Sequence, residues 1–173
     1  MAISLYDATV AGFLQTLGGM TGVLEKGLSY CVEHDIDPNE IVQARLHDDM
    51  LPFAFQVISV AHHSRGAIEG VKAGVFSPPP RPSELAYGDL QALINGARSE
   101  LQQISPADLD ALQGRDVTFT AGERSMPFVA ENFLLSFSVP NFYFHAVTAY
   151  DILRSKGVPV GKRDYIGQLR VKS

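Results

Sequence analysis

Tryptophan is absent from the 173 residues, cysteine occurs once, and charged residues make up only 19% of the chain. A lone cysteine, Cys31, cannot close an internal disulfide, which excludes the small secreted scaffolds that such bridges staple. Basic residues are in deficit. Fourteen Lys and Arg against nineteen Asp and Glu leave a formal charge of −5, the opposite of the footprint expected on a nucleic-acid-binding domain. The familiar catalytic signatures are missing too: there is no phosphate-cradling Gly-rich loop ending in Lys-Ser/Thr, no nucleophile elbow, no paired-cysteine zinc motif and no His-Glu-x-x-His.

Long hydrophobic runs are equally scarce. The longest uncharged stretch, 132–150, has nineteen residues, close to the length of a membrane span. Asn132, Ser136, Ser138, Pro140, Asn141, His145 and Thr148 make it too polar for hydrocarbon, so a buried bundle helix is the expectation. The first residues lack a basic region ahead of an apolar one, and Asp7 interrupts them, so no signal peptide is expected. These readings predict a soluble, cytoplasmic protein with no membrane and no nucleic-acid partner.

At 46% hydrophobic, the chain has enough apolar material for one domain over 1–173 with its own core. Four long helical patterns are legible. The first opens with Ser4 three residues before Asp7, a capping box, and carries the stripe Val10, Phe13, Leu17, Met20, Leu24, Leu28 and Cys31. A thiol on that stripe reads as inert packing. Gly12, Gly18, Gly19, Gly22 and Gly27 lie in the same segment. They imply either an irregular helix or close approach of another backbone, a second subunit being one candidate. Asp37-Pro38-Asn39-Glu40 starts a short helix. A long one follows over about 49–73, and the stiff Ser77–Pro82 loop separates it from a third beginning near Ser83. Ser105-Pro106-Ala107-Asp108 caps one short turn, and 117–129 reads as a small hairpin. The last helix covers roughly 131–156 with a kink expected at Pro140. An extended tail then carries most of the excess basic charge: Arg154, Lys156, Lys162, Arg163, Arg170 and Lys172 against Asp164. It could serve an anionic partner or lie across its own acidic body.

Five histidines are the best chemical candidates. His34 and His47 fall at helix ends beside acids and read as solvated. His62 continues the row Leu51, Phe55, Ile58, which predicts an inward side chain, with His63 its neighbour. Asn141 and His145 are one turn apart on the last helix and share a face. Two imidazoles from separate helices, with a carboxamide, predict either a hydrogen-bonded core cluster or a divalent-metal site for Zn or Ni. Tyr143 and Tyr150 are expected as proton carriers with His145. Phe55, Phe142 and Phe144 are expected to wall a small-molecule pocket, with His63 beside them.

Several motifs together carry a resemblance. These are Pro140-Asn141-Phe142-Tyr143-Phe144-His145, Ala149-Tyr150-Asp151-Ile152-Leu153-Arg154, Gly157-Val158 and Gly161-Lys162-Arg163-Asp164-Tyr165-Ile166-Gly167. Ser4-Leu5-Tyr6, Ala44-Arg45-Leu46, Asp49-Met50-Leu51-Pro52 and Gln56-Val57 add to it. Nearly the whole chain thus resembles the bacterial domain-of-unknown-function family number nineteen ninety-three. The resemblance implies an all-α fold, a DinB/YfiT-like four-helix bundle with short extra helices and a small β-hairpin before the last long helix. It also implies a homodimer. Many of the wider group hold a divalent metal through three histidines, and some transfer thiols, isomerise or hydrolyse small molecules. By position, those ligands would fall on His62 or His63, on Asn141, and on His145; Asn141 departs from the histidine of the pattern. A metal-free ligand-binding protein and a structural or regulatory homodimer are the alternatives.

Overall fold

The computed structural model describes residues 3–79 and 84–172. Within them, local signals set the helix starts. Ser4 accepts a hydrogen bond from the Asp7 amide at 3.0 Å and opens the short helix α1 (Leu5–Ala8). The chain breaks helical geometry at Thr9 and resumes as α2 (Val10–Glu33). Asp37 caps α3 (Pro38–Val42) through the Asn39 amide, and Ser105 with Asp108 forms the capping box of α7 (Pro106–Asp110).

Four long rods make the bundle, as the hydrophobic stripes predict. The first is α2. The second, 53–73, consists of α4 (Phe53–Ala61), a π-helical turn (His62–Gly66) and α5 (Ala67–Ala73). The third is α6 (Tyr87–Leu101); the start expected near Ser83 and the Pro80–Pro82 part of the stiff loop lie outside the described residues. The fourth, 130–155, joins α8 (Ala130–Asn132), a second π-helical turn (Phe133–Ser138) and α9 (Val139–Ser155). Burial drives their association: Phe13, Leu17, Met20, Phe53, Ile68, Leu90, Ile94, Phe133, Phe142 and Ile152 are sealed from solvent in one cluster. Phe13 meets Phe142 edge-on with ring centroids 4.7 Å apart, and Cys31 is fully buried as its stripe predicts. Pro140 stands in the first turn of α9, directly after the wide π-turn. A proline ring collides with the carbonyl four residues earlier in a plain α-helix, and the wider winding makes room for it.

The hairpin is present as β2 (Asp116–Ala121) and β3 (Arg124–Val129), turning at Gly122 with φ +59°. A third strand that the sequence reading omitted, β1 (Val75–Phe76), pairs parallel to β2 through Val75 and Thr118. Two-residue strands carry no periodicity to read.

The C-terminal segment differs from the extended tail expected. Val158 and Val160 are buried, and α10 (Lys162–Ile166) packs on α2. Lys26 bonds Asp164 at 2.7 Å, and Gln15 Nε2 donates to the Ile166 carbonyl at 3.1 Å. Gly19 lies directly under the Asp164 and Tyr165 carbonyls, where a Cβ would overlap them. Gly27 lies under the Tyr87 hydroxyl, and Gly12 under that of Tyr143. Three of the five helical glycines therefore admit close neighbours from the chain's own later segments.

Candidate functional site

The second and fourth rods pack along each other, and their facing sides are unusually polar for a core. On α4 and its π-turn, Gln56, Ser59 and His63 recur at helical spacing, with exposures of 3%, 0% and 6%. On the fourth rod, Ser138, Asn141 and His145 recur at the same spacing, and Ser138 is fully buried. The π-form accounts for well under 1% of residues in globular proteins and concentrates at functional sites. Here five residues of one rod and six of the other adopt it, both adjoining this seam.

His63 and His145 meet across the seam with ring centroids 5.9 Å apart and planes 12° from parallel. His145 Nδ1 lies 2.8 Å from Gln56 Oε1, and Gln56 Nε2 donates to the Leu51 carbonyl at 2.9 Å. His63 Nδ1 is buried and has no hydrogen-bond partner among the described residues. Burial disfavours the charged imidazolium, so the His145 pKa falls to about 4. That of His63 falls to about 3, through burial first and then the adjacent His62 and His145. Both rings are therefore neutral near pH 7, each with one bare nitrogen. Asn141 donates its amide N–H to the Phe137 carbonyl at 2.7 Å, which leaves its Oδ1 end for another partner. Aromatic rings close around the pair: Phe55 and Phe144 stand edge-on to His145 at 5.9 and 5.2 Å, while Phe76 and Phe137 flank His63 at 5.6 and 5.7 Å.

The structure sorts the candidates taken from sequence. His63, His145, Phe55 and Phe144 gather at one place, with Asn141 one helical turn before His145. His62 does not face His145: it lies against Phe76 at 4.3 Å, and its Nε2 bonds the Ser77 carbonyl at 2.7 Å. The row that runs inward is Phe53, Val57, Val60, Ser64, Ala67 and Val71, and His63 rather than His62 lies beside it. Leu51, which anchored the row chosen from sequence, is exposed. Phe142 is sealed in the core against Phe13, outside the group of rings around His63 and His145. Tyr143 and Tyr150 lie on the far side of α9, because steps of two and five residues turn the helix by roughly 200° and 140°. Tyr143 covers Gly12, and Tyr150 packs on Tyr165 at 5.9 Å with its hydroxyl 3.5 Å from the Val160 carbonyl. Neither can carry a proton for His145. Gln56 is the residue that sequence reading missed, although a glutamine two turns before His63, in a helix whose one other polar side chain is Ser59, was the available signal.

As a cradle for a divalent ion, the seam offers the neutral rings of His63 and His145, with Asn141 one helical turn before His145, and no group of three or more His, Cys, Asp or Glu that could hold an ion among the described residues. With the Asn141 amide oxygen as a third and weakest donor, that set would have the three protein ligands usual in a catalytic site.

Comparison with known proteins follows the same lines. A family model described as a domain of unknown function (DUF1993) matches residues 5–166. No curated protein matches the chain. Among solved structures, a DinB family member protein from Shewanella denitrificans superposes with a TM-score of 0.79 at 25% identity, over 98% of this chain and 95% of that one. The fold is thus a DinB-like helical bundle, and no helix among the described residues is long and apolar enough to cross a membrane.

Proposed function

Since the chain belongs to the DUF1993 family, whose name carries no activity, we propose from the geometry that the His63–His145 pair is the centre of an enzyme acting on a small molecule. In this reading His63, His145 and the Asn141 amide oxygen hold a divalent ion such as Zn or Ni. The observation that carries it is the orphaned Nδ1 of buried His63 beside a second neutral imidazole. A buried polar atom without a partner costs about 1–3 kcal/mol, so a core retains one where a ligand completes it. The outer partner of His145 supports the same reading, because metal-bound imidazoles characteristically engage their other nitrogen in a hydrogen bond, as His145 does with Gln56.

When bound, such an ion supplies Lewis acidity toward a water, thiol or carbonyl in its open position. This range covers thiol transfer, isomerisation and hydrolysis. The chain's own groups do the rest. His63 and His145 present unprotonated nitrogens without competing for protons near pH 7. Asn141 is oriented by the Phe137 carbonyl, and the Phe55 and Phe144 rings stand edge-on to His145 as apolar surface for a ligand.

Calorimetric titration of chelator-stripped protein with zinc and nickel tests this directly. One ion per chain is the expected result, with affinity falling at least tenfold in His145→Ala and His63→Ala. A wild-type protein that takes up neither ion removes the reading. It would then favour a metal-free pocket for a small aromatic or apolar ligand, which the four surrounding phenylalanines support.

A further inference from the structure

Gln56 presents a puzzle on its own. A primary amide at 3% exposure occupies a core position, where an apolar side chain would have no polar group to desolvate. Its two ends explain why it is there. The Leu51 carbonyl has only lone pairs to offer, so the end of Gln56 that meets it at 2.9 Å must be the amide nitrogen. The other end is then the carbonyl oxygen, which can only accept. The nitrogen 2.8 Å from it, His145 Nδ1, must therefore bear a hydrogen. A neutral imidazole carries one such hydrogen, which leaves Nε2 bare.

We infer that Gln56 is a positioning residue: it holds His145 in the Nδ1–H tautomer and so makes Nε2 the lone-pair atom that faces the site. The fixed point of this relay is backbone. Leu51 precedes Pro52, whose ring restricts the conformation of the residue before it, and Pro52 is also the residue from which α4 departs. The Gln56 backbone N–H donates to the Pro52 carbonyl at 3.2 Å. The start of the second rod thus sets the reactive edge of a ring on the fourth. The inference rests on the proposed site for its purpose, but it concerns the protein without any ion and is tested in that state.

The experiment is nitrogen NMR of the imidazole rings in ion-free, full-length protein at neutral pH, with His145 assigned by difference from His145→Gln. Wild type should show a protonated Nδ1 and a bare Nε2. In Gln56→Leu the excess of that tautomer should fall about tenfold, the size of one net hydrogen bond, so that the Nε2–H form appears. Gln56→Glu, which keeps an acceptor opposite the ring, should keep Nδ1 protonated. A wild-type ring protonated on Nε2 overturns the inference, and so does a Gln56→Leu spectrum unchanged from wild type. If Gln56→Leu fails to fold, the wild-type spectrum and Gln56→Glu still decide: a bare Nδ1 in either is fatal. The two readings fail separately. Loss of zinc uptake with the tautomer intact removes the metal reading alone, and the wrong tautomer with zinc bound removes this one alone.

Discussion

His63 and His145 make acid the sensitive condition of this protein. Their unfolded forms titrate near the ordinary value of 6.5, whereas in the folded chain the values are about 3 and about 4. Below pH 6.5 the unfolded state therefore binds protons that the folded state refuses. Stability is full above that point and declines as pH falls toward 4, with each ring contributing about 2 kcal/mol of loss between pH 7 and 5. Urea unfolding at those two pH values in the presence of chelator should show a lower midpoint at pH 5, and His63→Leu should remove about half of the difference. An equal midpoint at both values would contradict the burial described. The same residue shows where reading a sequence runs out. His62 and His63 differ by one step of roughly 100°, and two apolar rows compete to define the inside of that helix. Each row holds one phenylalanine, Phe55 or Phe53, but Leu51 faces solvent at 38% exposure, and the fully buried row is the one through Phe53. Asn141 and His145 needed no such choice, since their mutual spacing alone put them on one face.

Among the elements, those started by local chemistry were the legible ones. Ser4, Asp37 and Ser105 each announce a helix through a side chain that reaches its own next turn, and the hairpin follows from alternation around Gly122. Elements defined by distant partners were not legible: β1 exists because Thr118 lies beside Val75, and α10 because Gly19 admits it. That last contact can be broken selectively. Gly19→Ala places a methyl group on the Tyr165 and Asp164 carbonyls, so it should cost about 2 kcal/mol or more and expose residues 157–172 to proteolysis while the bundle remains helical by circular dichroism. Lys26→Ala removes an ion pair whose side chains are 50% and 28% exposed, and should cost at most about 1 kcal/mol. A larger loss in Lys26→Ala than in Gly19→Ala would mean that charge, and not fit, holds the segment. The two π-turns were invisible in advance, because their wider winding is imposed by packing around Pro140 and the seam and not by any residue's preference.

Over the whole molecule, α9 divides the core from the site. Phe142, sealed against Phe13, belongs to the interior shared by the rods, whereas Phe144 is 61% exposed beside His145. Thermal unfolding should separate them: Phe142→Ala is expected to lose about 3–5 kcal/mol, and Phe144→Ala about 0.5 kcal/mol or less, with any change in ligand or ion uptake confined to the second. Reversed magnitudes would mean that the site and the core have been exchanged. Cys31, the chain's single thiol, is fully enclosed, and the surrounding burial together with Asp37 and Glu40 holds its pKa above the ordinary value. The protein thereby carries its own reporter: any alkylating reagent must wait for the end of α2 to open, so the rate of labelling measures breathing of the bundle with no probe introduced.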